Sequence, residues 1–364
     1  MKRPEEQEFE TIETTIGELP KYLELAEKTG IALNIIGPHG VGKTQIVYAY
    51  GAERNRLVCD RVVSIMDPTA EFAMAGLDQT GDLKFRHNRS FPFKGFEEEW
   101  LHPESKAAPI IFFDEFNQAQ TSQQNMAMKI VLERHVHNRP LITDSMMLLA
   151  GNRITDHAFV SRYSGPMANR VLWLYLQPSH EDFFDFAHAT GRIHEFVIAY
   201  LKLNPTHLHI SLMEETTMDE QTKVMATFEG PHPTPRTWEF VSKVLETDPP
   251  EHVRLTAISG LVGPAVATQF EQTYRLKDDM PNLKKVCDTG EEAVPKEVAT
   301  RFVLVSALLK RVDDDNLGNI LKYFGKMDPE VSVMFVKLML KHKLTLASHP
   351  AYAAWAVKYG KLLA

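Results

Sequence analysis

The stretch that most constrains this chain is GPHGVGKT at residues 37–44. It satisfies G-x-x-x-x-G-K-[ST], the phosphate-binding loop pattern, at each required position. The residue types have physical reasons. Gly37, Gly40 and Gly42 let backbone N–H groups turn inward as a concave anion nest, with Pro38, His39 and Val41 completing the loop. Lys43 can reach the β and γ phosphates, and Thr44 can offer its hydroxyl to Mg²⁺. A following helix would point its positive end at the same phosphates. The flanks agree with this reading. An apolar run at 31–36 is of buried-strand type, and 44–54 is free of proline with Ile46, Val47 and Tyr50 at helical spacing.

Length and composition set the frame. A chain of 364 residues suggests two or three domains, and 44% hydrophobic content supplies ample core. A net charge of −8 carries no global signature of a nucleic-acid binder. Two cysteines, Cys59 and Cys287, suit neither a disulfide framework nor a zinc ribbon and point to a reducing compartment. The opening MKRPEEQEFE has no apolar core of a secretory signal, and no segment approaches the length of a membrane span. A cytoplasmic protein is expected, with no membrane partner.

Further apolar runs end in polar residues. Strands are expected at 57–65, 108–113, 145–150 and 171–176, and helices at 16–28, 69–75 and 121–134. Turn residues at 77–86 and 135–144 suggest β-hairpins, while residues 1–14 read as loosely ordered. Five strands separated by helices indicate an α/β fold with a mostly parallel sheet. Beyond Pro178 the pattern turns helical, with long helices expected at 236–246, 251–274, 295–311 and 316–343. Asp248-Pro249-Pro250 is the best boundary candidate.

Several side chains extend the phosphate-loop reading. The run at 110–113 delivers Asp114 to a strand's carboxyl edge, where it would hold Mg²⁺ and Glu115 would act as general base toward water. Asn152 ends another apolar run and is placed to orient that water or sense the γ phosphate. Arg170 precedes the strand at 171–176. Its functional reading is an arginine finger given to a neighbouring subunit, with Arg162 a rival. Arg236 begins a helix, where the dipole does not favour a cation, so a ligand anion is a reason for it.

Other candidates carry less. His194-Glu195 lacks the second histidine of H-E-x-x-H and reads as helix surface. His135 and His137 have no cysteine or acid at ligand spacing. Lys84, Arg86, Arg89 and Lys94 alternate with Phe85, Phe91 and Phe93 in a way that can suit nucleic acid, although a solvated hairpin rim or a protein contact is the favoured reading.

In this order the residues resemble AAA+ ATPases, and within them the MoxR-type group. GPHGVGKT resembles Walker A, IIFFDEFNQA Walker B and MLLAGNR the sensor 1 strand. MANRVLWLYL is similar to the arginine-finger segment, and PTPRTWEF to the sensor 2 helix of the lid. The resemblance covers residues 15–245 and departs from the group's usual pattern at Gln118, Arg153 and Asn169. It implies a P-loop AAA+ core with a five-stranded, mostly parallel sheet at 1–177 and an α-helical lid at 178–248. Residues 249–364 lie beyond the resemblance and read from their periodicity as a helical C-terminal extension. The resemblance also implies ATP and Mg²⁺ as cofactors and a homo-oligomeric ring, a hexamer, with Arg170 completing the neighbour's site. Such a ring would act as a chaperone on a protein client, with a von Willebrand factor A domain protein as a candidate partner. A DNA-directed motor or loader is the alternative, and a non-hydrolysing switch a third class that Glu115 argues against.

Overall fold

The computed structural model describes residues 12–67, 71–137, 139–153, 169–212 and 230–362. The chain divides into two units, Met1–Ser179 and His180–Ala364.

In the first unit the apolar runs become strands. In chain order they and their helices are β1 (Glu13–Thr15), α1 (Leu19–Thr29), β2 (Leu33–Ile36), α2 (Lys43–Glu53), β3 (Val58–Val62), β4 (Ala73–Leu77) and β5 (Leu83–His87). There follow α3 (Glu97–Trp100), β6 (Ile110–Asp114), α4 (Thr121–Glu133), β7 (His135–Val136), β8 (Arg139–Pro140), β9 (Met146–Gly151) and β10 (Leu172–Gln177). Six strands form one sheet in the order β1-β10-β2-β9-β6-β3, every pairing parallel. Side chains alternate between two cores. Ile110 and Phe112 pack with Val47 and Tyr50 of α2, whereas Ile111 and Phe113 pack with Ile130 and Val131 of α4. A sheet covered on both faces explains why β2 and β9 are apolar at nearly every position.

The strand order locates a ligand site. Strand β2 leads away to β3 at one edge, while β9 leads to β10 on the far side of β2. Neighbours β2 and β9 therefore send their connections in opposite directions. The space beyond their carboxyl ends is the switch point where open α/β sheets bind ligands. Register brings the ends level there, with Ile36 opposite Gly151 and Val62 opposite Asp114.

The fold class is the expected one in its architecture, an α/β core with a parallel sheet followed by a helical part, with two local differences in the core. A sixth strand, β1, joins the edge of the sheet, although its residues read as loosely ordered. It pairs with β10, and Arg153 holds Glu13 across it at 2.9 Å. The helix expected at 69–75 is not a helix where it is described. Ala73–Leu77 is a strand because five residues find antiparallel partners on β5; Thr69 lies outside the described residues. The two expected hairpins are present as β4–β5 and β7–β8. They touch each other where Phe85 stacks on His137, ring centroids 3.8 Å apart.

The second unit is helical throughout its described residues. Its helices include His180–Thr190, Glu195–Leu203, Pro235–Glu246, Glu251–Val262, Pro264–Tyr274, Leu283–Thr289, Val298–Arg311, Leu317–Phe324, Pro329–His342 and Pro350–Tyr359. Two long helices expected from the sequence are each broken in two. Gly263, at φ 85°, precedes Pro264, and the second break falls between Phe324 and Pro329. One apolar core runs from Phe183 through Trp238 and Leu245 to Phe270, crossing residues 248–250 without interruption. A second core joins Val286 to Trp355. His194 is not helix surface: it is the N-cap of Glu195–Leu203 and accepts from the Phe196 N–H, while Glu195 faces Lys310 at 3.6 Å. Among the described residues no helix is long and apolar enough to cross a membrane.

Candidate functional site

Gly37 leaves β2 with its N–H donating to Gly151 O at 3.2 Å, so the loop starts stitched to the end of β9. Gly40 and Gly42 take φ of 73° and 102°, a region that side chains other than glycine rarely adopt. These turns carry the chain from β2 into α2. Gly42 caps that helix without a side-chain acceptor, and its first turn carries no acid. The N-terminal N–H groups and the positive end of the dipole thus meet the loop directly.

Lys43 is buried at 8% exposure and reaches back over its own loop. Its Nζ donates to Gly37 O at 2.6 Å, Pro38 O at 2.8 Å and Asn152 Oδ1 at 3.2 Å. This places the ammonium at the switch point and joins the loop to the end of β9. One position on, Thr44 Oγ1 donates to Asp114 Oδ2 at 2.7 Å. Hydroxyl and carboxylate converge from α2 and β6, giving the hard oxygen donors that Mg²⁺ prefers. A glycine-rich loop at a helix N-terminus, a buried ammonium and this oxygen pair fit a magnesium-bound nucleoside triphosphate.

Glu115 follows Asp114 at φ 50°, a left-handed conformation for a residue with a side chain. Such backbone costs about 1–3 kcal/mol and persists where the surroundings impose it. Here the Glu115 N–H donates to Asp114 Oδ1 at 2.8 Å, and Ser64 Oγ donates to Glu115 Oε2 at 2.7 Å. Ser64 sits in a 3₁₀ turn, Val63–Ile65, just after β3. Gln123 of α4 holds that turn by donating to Ser64 O at 3.2 Å and Met66 O at 2.8 Å.

Ser64, Asn117 and Gln123 are supporting residues that the sequence did not single out for such roles. Asn117, 1% exposed, grips the backbone of Asn152 from both sides, at 2.6 and 3.0 Å. Asn117 stands inside the Walker B-like string, which is the one signal that marked it. Ser64 and Gln123 carry no motif and bond mainly across more than 50 residues.

Of the expected site residues, the loop 37–44, Asp114, Glu115 and Asn152 come together at the carboxyl edge of the sheet. Arg170 does not join them. It is exposed and precedes β10, whose Tyr175 lies opposite Ile36. Arg170 stands in the turn before β10, at the end of that strand remote from its own loop. Arg236 belongs to the second unit. It is exposed in the first turn of Pro235–Glu246, which Thr234 and Thr237 close with a capping box. Arg162 lies outside the described residues. The basic–aromatic alternation at 84–94 breaks up, since Phe91 and Phe93 are fully buried in the core. Lys84 pairs with Asp78 at 2.9 Å and Arg89 with Glu99.

No family model and no curated protein matches this chain. Among solved structures, a Cytophaga hutchinsonii protein provisionally described as an ATPase is similar at 14% identity and a TM-score of 0.35, over 49% of this chain. The chain spans about half of that protein, 52% of its length. The RuvB Holliday junction branch migration motor of Thermotoga maritima is similar at 13% identity and a TM-score of 0.32, over 85% of each chain. The architecture itself is an α/β core with a parallel sheet, followed in the chain by a helical unit.

Proposed function

We propose that this chain is an ATPase of the AAA+ class, of MoxR type, which hydrolyses ATP at the subunit interfaces of a ring to remodel a protein client. The observation that carries the reading is the convergence of Lys43, Thr44, Asp114 and Asn152 at the switch point. Loop amides and Lys43 neutralise the β and γ phosphates, and Asn152 fixes the Lys43 ammonium among them. Mg²⁺, held near Thr44 and Asp114, would supply charge neutralisation between the phosphates. Glu115 takes the proton of the attacking water as oxygen adds to the γ phosphorus and the bond to the β–γ bridging oxygen breaks. Ser64, bonded to one Glu115 oxygen, then competes with water for this base.

The position of Arg170 supports action in trans. It precedes β10 at the end remote from its own loop and is exposed, so a neighbouring copy can meet it. In this reading Arg236 senses the nucleotide from the helical unit. The lid and extension, expected at 178–248 and 249–364, share a core across residues 248–250, so their division is one of role rather than of packing. The β4–β5 and β7–β8 hairpins, stacked through Phe85 and His137, are the elements that pass motion to a client.

Phosphate release by the purified chain tests the chemistry. Glu115→Gln should abolish turnover and leave ATP bound; undiminished hydrolysis would remove Glu115 as the base. Arg170→Ala should be inactive alone and regain turnover when mixed with Glu115→Gln subunits. Failure to regain any would count against a finger in trans. Stimulation by DNA, and not by protein captured on the Glu115→Gln variant, would move the reading to a DNA-directed motor.

A further inference from the structure

One carboxylate beside the site has no part in the reading above. Asp60 lies on β3 opposite Phe112 of β6, two residues before Asp114, so both acids project from the same face of the sheet. Helix α2 covers that face. Thr44 and Tyr48 are four residues apart on it, hence one above the other. Each donates to one acid: Thr44 Oγ1 to Asp114 Oδ2 at 2.7 Å, and Tyr48 OH to Asp60 Oδ2 at 3.2 Å.

The second oxygens differ. Asp114 Oδ1 accepts from the Glu115 N–H, whereas Asp60 Oδ1 is sealed from solvent and accepts no hydrogen bond from the described residues. A sealed, unpaired carboxylate oxygen is costly unless a cation stands near it. The charge of the adjacent Arg61 acts on Asp60 only as a lesser influence, and its guanidinium does not bond to the carboxylate. It donates to the backbone carbonyl of Asp60 and pairs with Glu71 at 2.9 Å. Burial and then the charge of Asp114 push the Asp60 carboxyl up, and burial and both acids push the Tyr48 hydroxyl up. Two carboxyl groups on adjacent strands thus meet α2 one helical turn apart.

We propose that Asp60 is a positioning residue for the divalent cation at the phosphate-binding loop, its free Oδ1 accepting a hydrogen from a water of the ion's shell while Tyr48 holds Oδ2. The inference rests on the nucleotide-binding reading. Mg²⁺ keeps several waters when it binds with phosphates, and those waters need acceptors. Asp114 supplies one and Asp60 the second, from an adjacent strand.

Binding of a fluorescent ATP analogue to the full chain, titrated with Mg²⁺ and repeated in EDTA, tests this without turnover. Asp60→Asn should keep the metal-free affinity within about twofold and raise the Mg²⁺ needed for half-maximal tightening roughly tenfold. Tyr48→Phe leaves the charge in place and should shift the same midpoint the same way, by about threefold. An unchanged Mg²⁺ midpoint in both variants, with only a lower melting temperature, would make the pair structural and overturn the proposal. A shift in Asp60→Asn alone would overturn the role given to Tyr48. Absence of nucleotide binding by the unmodified chain would instead sink the underlying reading.

Discussion

Asn117 holds both backbone polar groups of Asn152: its Nδ2 donates to Asn152 O at 2.6 Å, and its Oδ1 accepts from Asn152 N at 3.0 Å. The Asn152 side chain is left free to meet Lys43. A buried amide in the Walker B-like string thereby sets the angle at which the residue just after β9 is presented. Asn117→Ala would strip two enclosed backbone groups of their partner, at a cost of about 2 kcal/mol or more. Turnover should fall roughly ten- to hundredfold as Asn152 and Lys43 lose register. Asn117→Asp should behave similarly, since a carboxylate cannot donate to the Asn152 carbonyl. Thermal denaturation and phosphate release together check this, and two unchanged values would mean the bridge is incidental.

Ser64 makes the opposite kind of contact. Its hydroxyl occupies one oxygen of Glu115, the group proposed to take the water's proton. Ser64→Ala should free that oxygen and raise basal phosphate release about two- to fivefold, with ATP affinity unchanged. A slower variant would show that Ser64 orients Glu115 for catalysis instead of restraining it.

What could be read from the sequence follows from how local each signal is. The loop, its strand and its helix are contiguous, and Asp114 and Asn152 each end an apolar run, so pattern alone located them. The roles of Ser64, Asn117 and Gln123 rest on side chains bonding to backbone or carboxylate across 35 to 59 residues, where periodicity carries no information. The stretch at 71–75 misled because a helical pattern and a strand pattern overlap over so few residues, and only pairing with β5 decides. The break at Gly263 was legible in principle, since Pro264 follows it, but helical spacing on both sides outweighed the signal. Asp60 gave none, as an isolated acid in a strand reads as an edge charge.

His188 makes the helical unit sensitive to acid. It is held against His342, ring centroids 5.4 Å apart, and its enclosed Nε2 has no hydrogen-bond partner among the described residues. Burial first, then the positive charges of Lys202, His342, Lys310 and Lys341, push its imidazole down to about 3 from 6.5. The sign follows from proton counts. Between those values the unfolded chain binds the proton and the folded chain does not, so stability falls as pH drops from about 6.5 toward 3. His188→Leu removes this titration. Its melting temperature should fall less steeply between pH 6.5 and 4 than that of the parent, by several degrees at the acid end. Parallel curves would place the acid sensitivity elsewhere.

Two glycines of one loop should fail for different reasons. A Cβ on Gly37 would stand 2.8 Å from Leu176 Cβ on β10, a contact between a backbone-fixed atom and the sheet that must push the loop away. Lys43 bonds to Gly37 O, so the ammonium would move with it. A Cβ on Gly42 meets nothing nearer than 3.7 Å, but its φ of 102° is strained for alanine. Gly37→Ala should therefore lose both melting temperature and ATP affinity, because overpacking against the sheet typically costs about 1–3 kcal/mol. Gly42→Ala should relieve its strain by turning the loop amides outward, losing at least about tenfold in ATP affinity with a smaller loss of melting temperature. Isothermal titration with ATP and thermal denaturation separate the two. Equal losses in both measures for both variants would mean that the loop is held by one constraint, not by sheet contact at one end and amide geometry at the other.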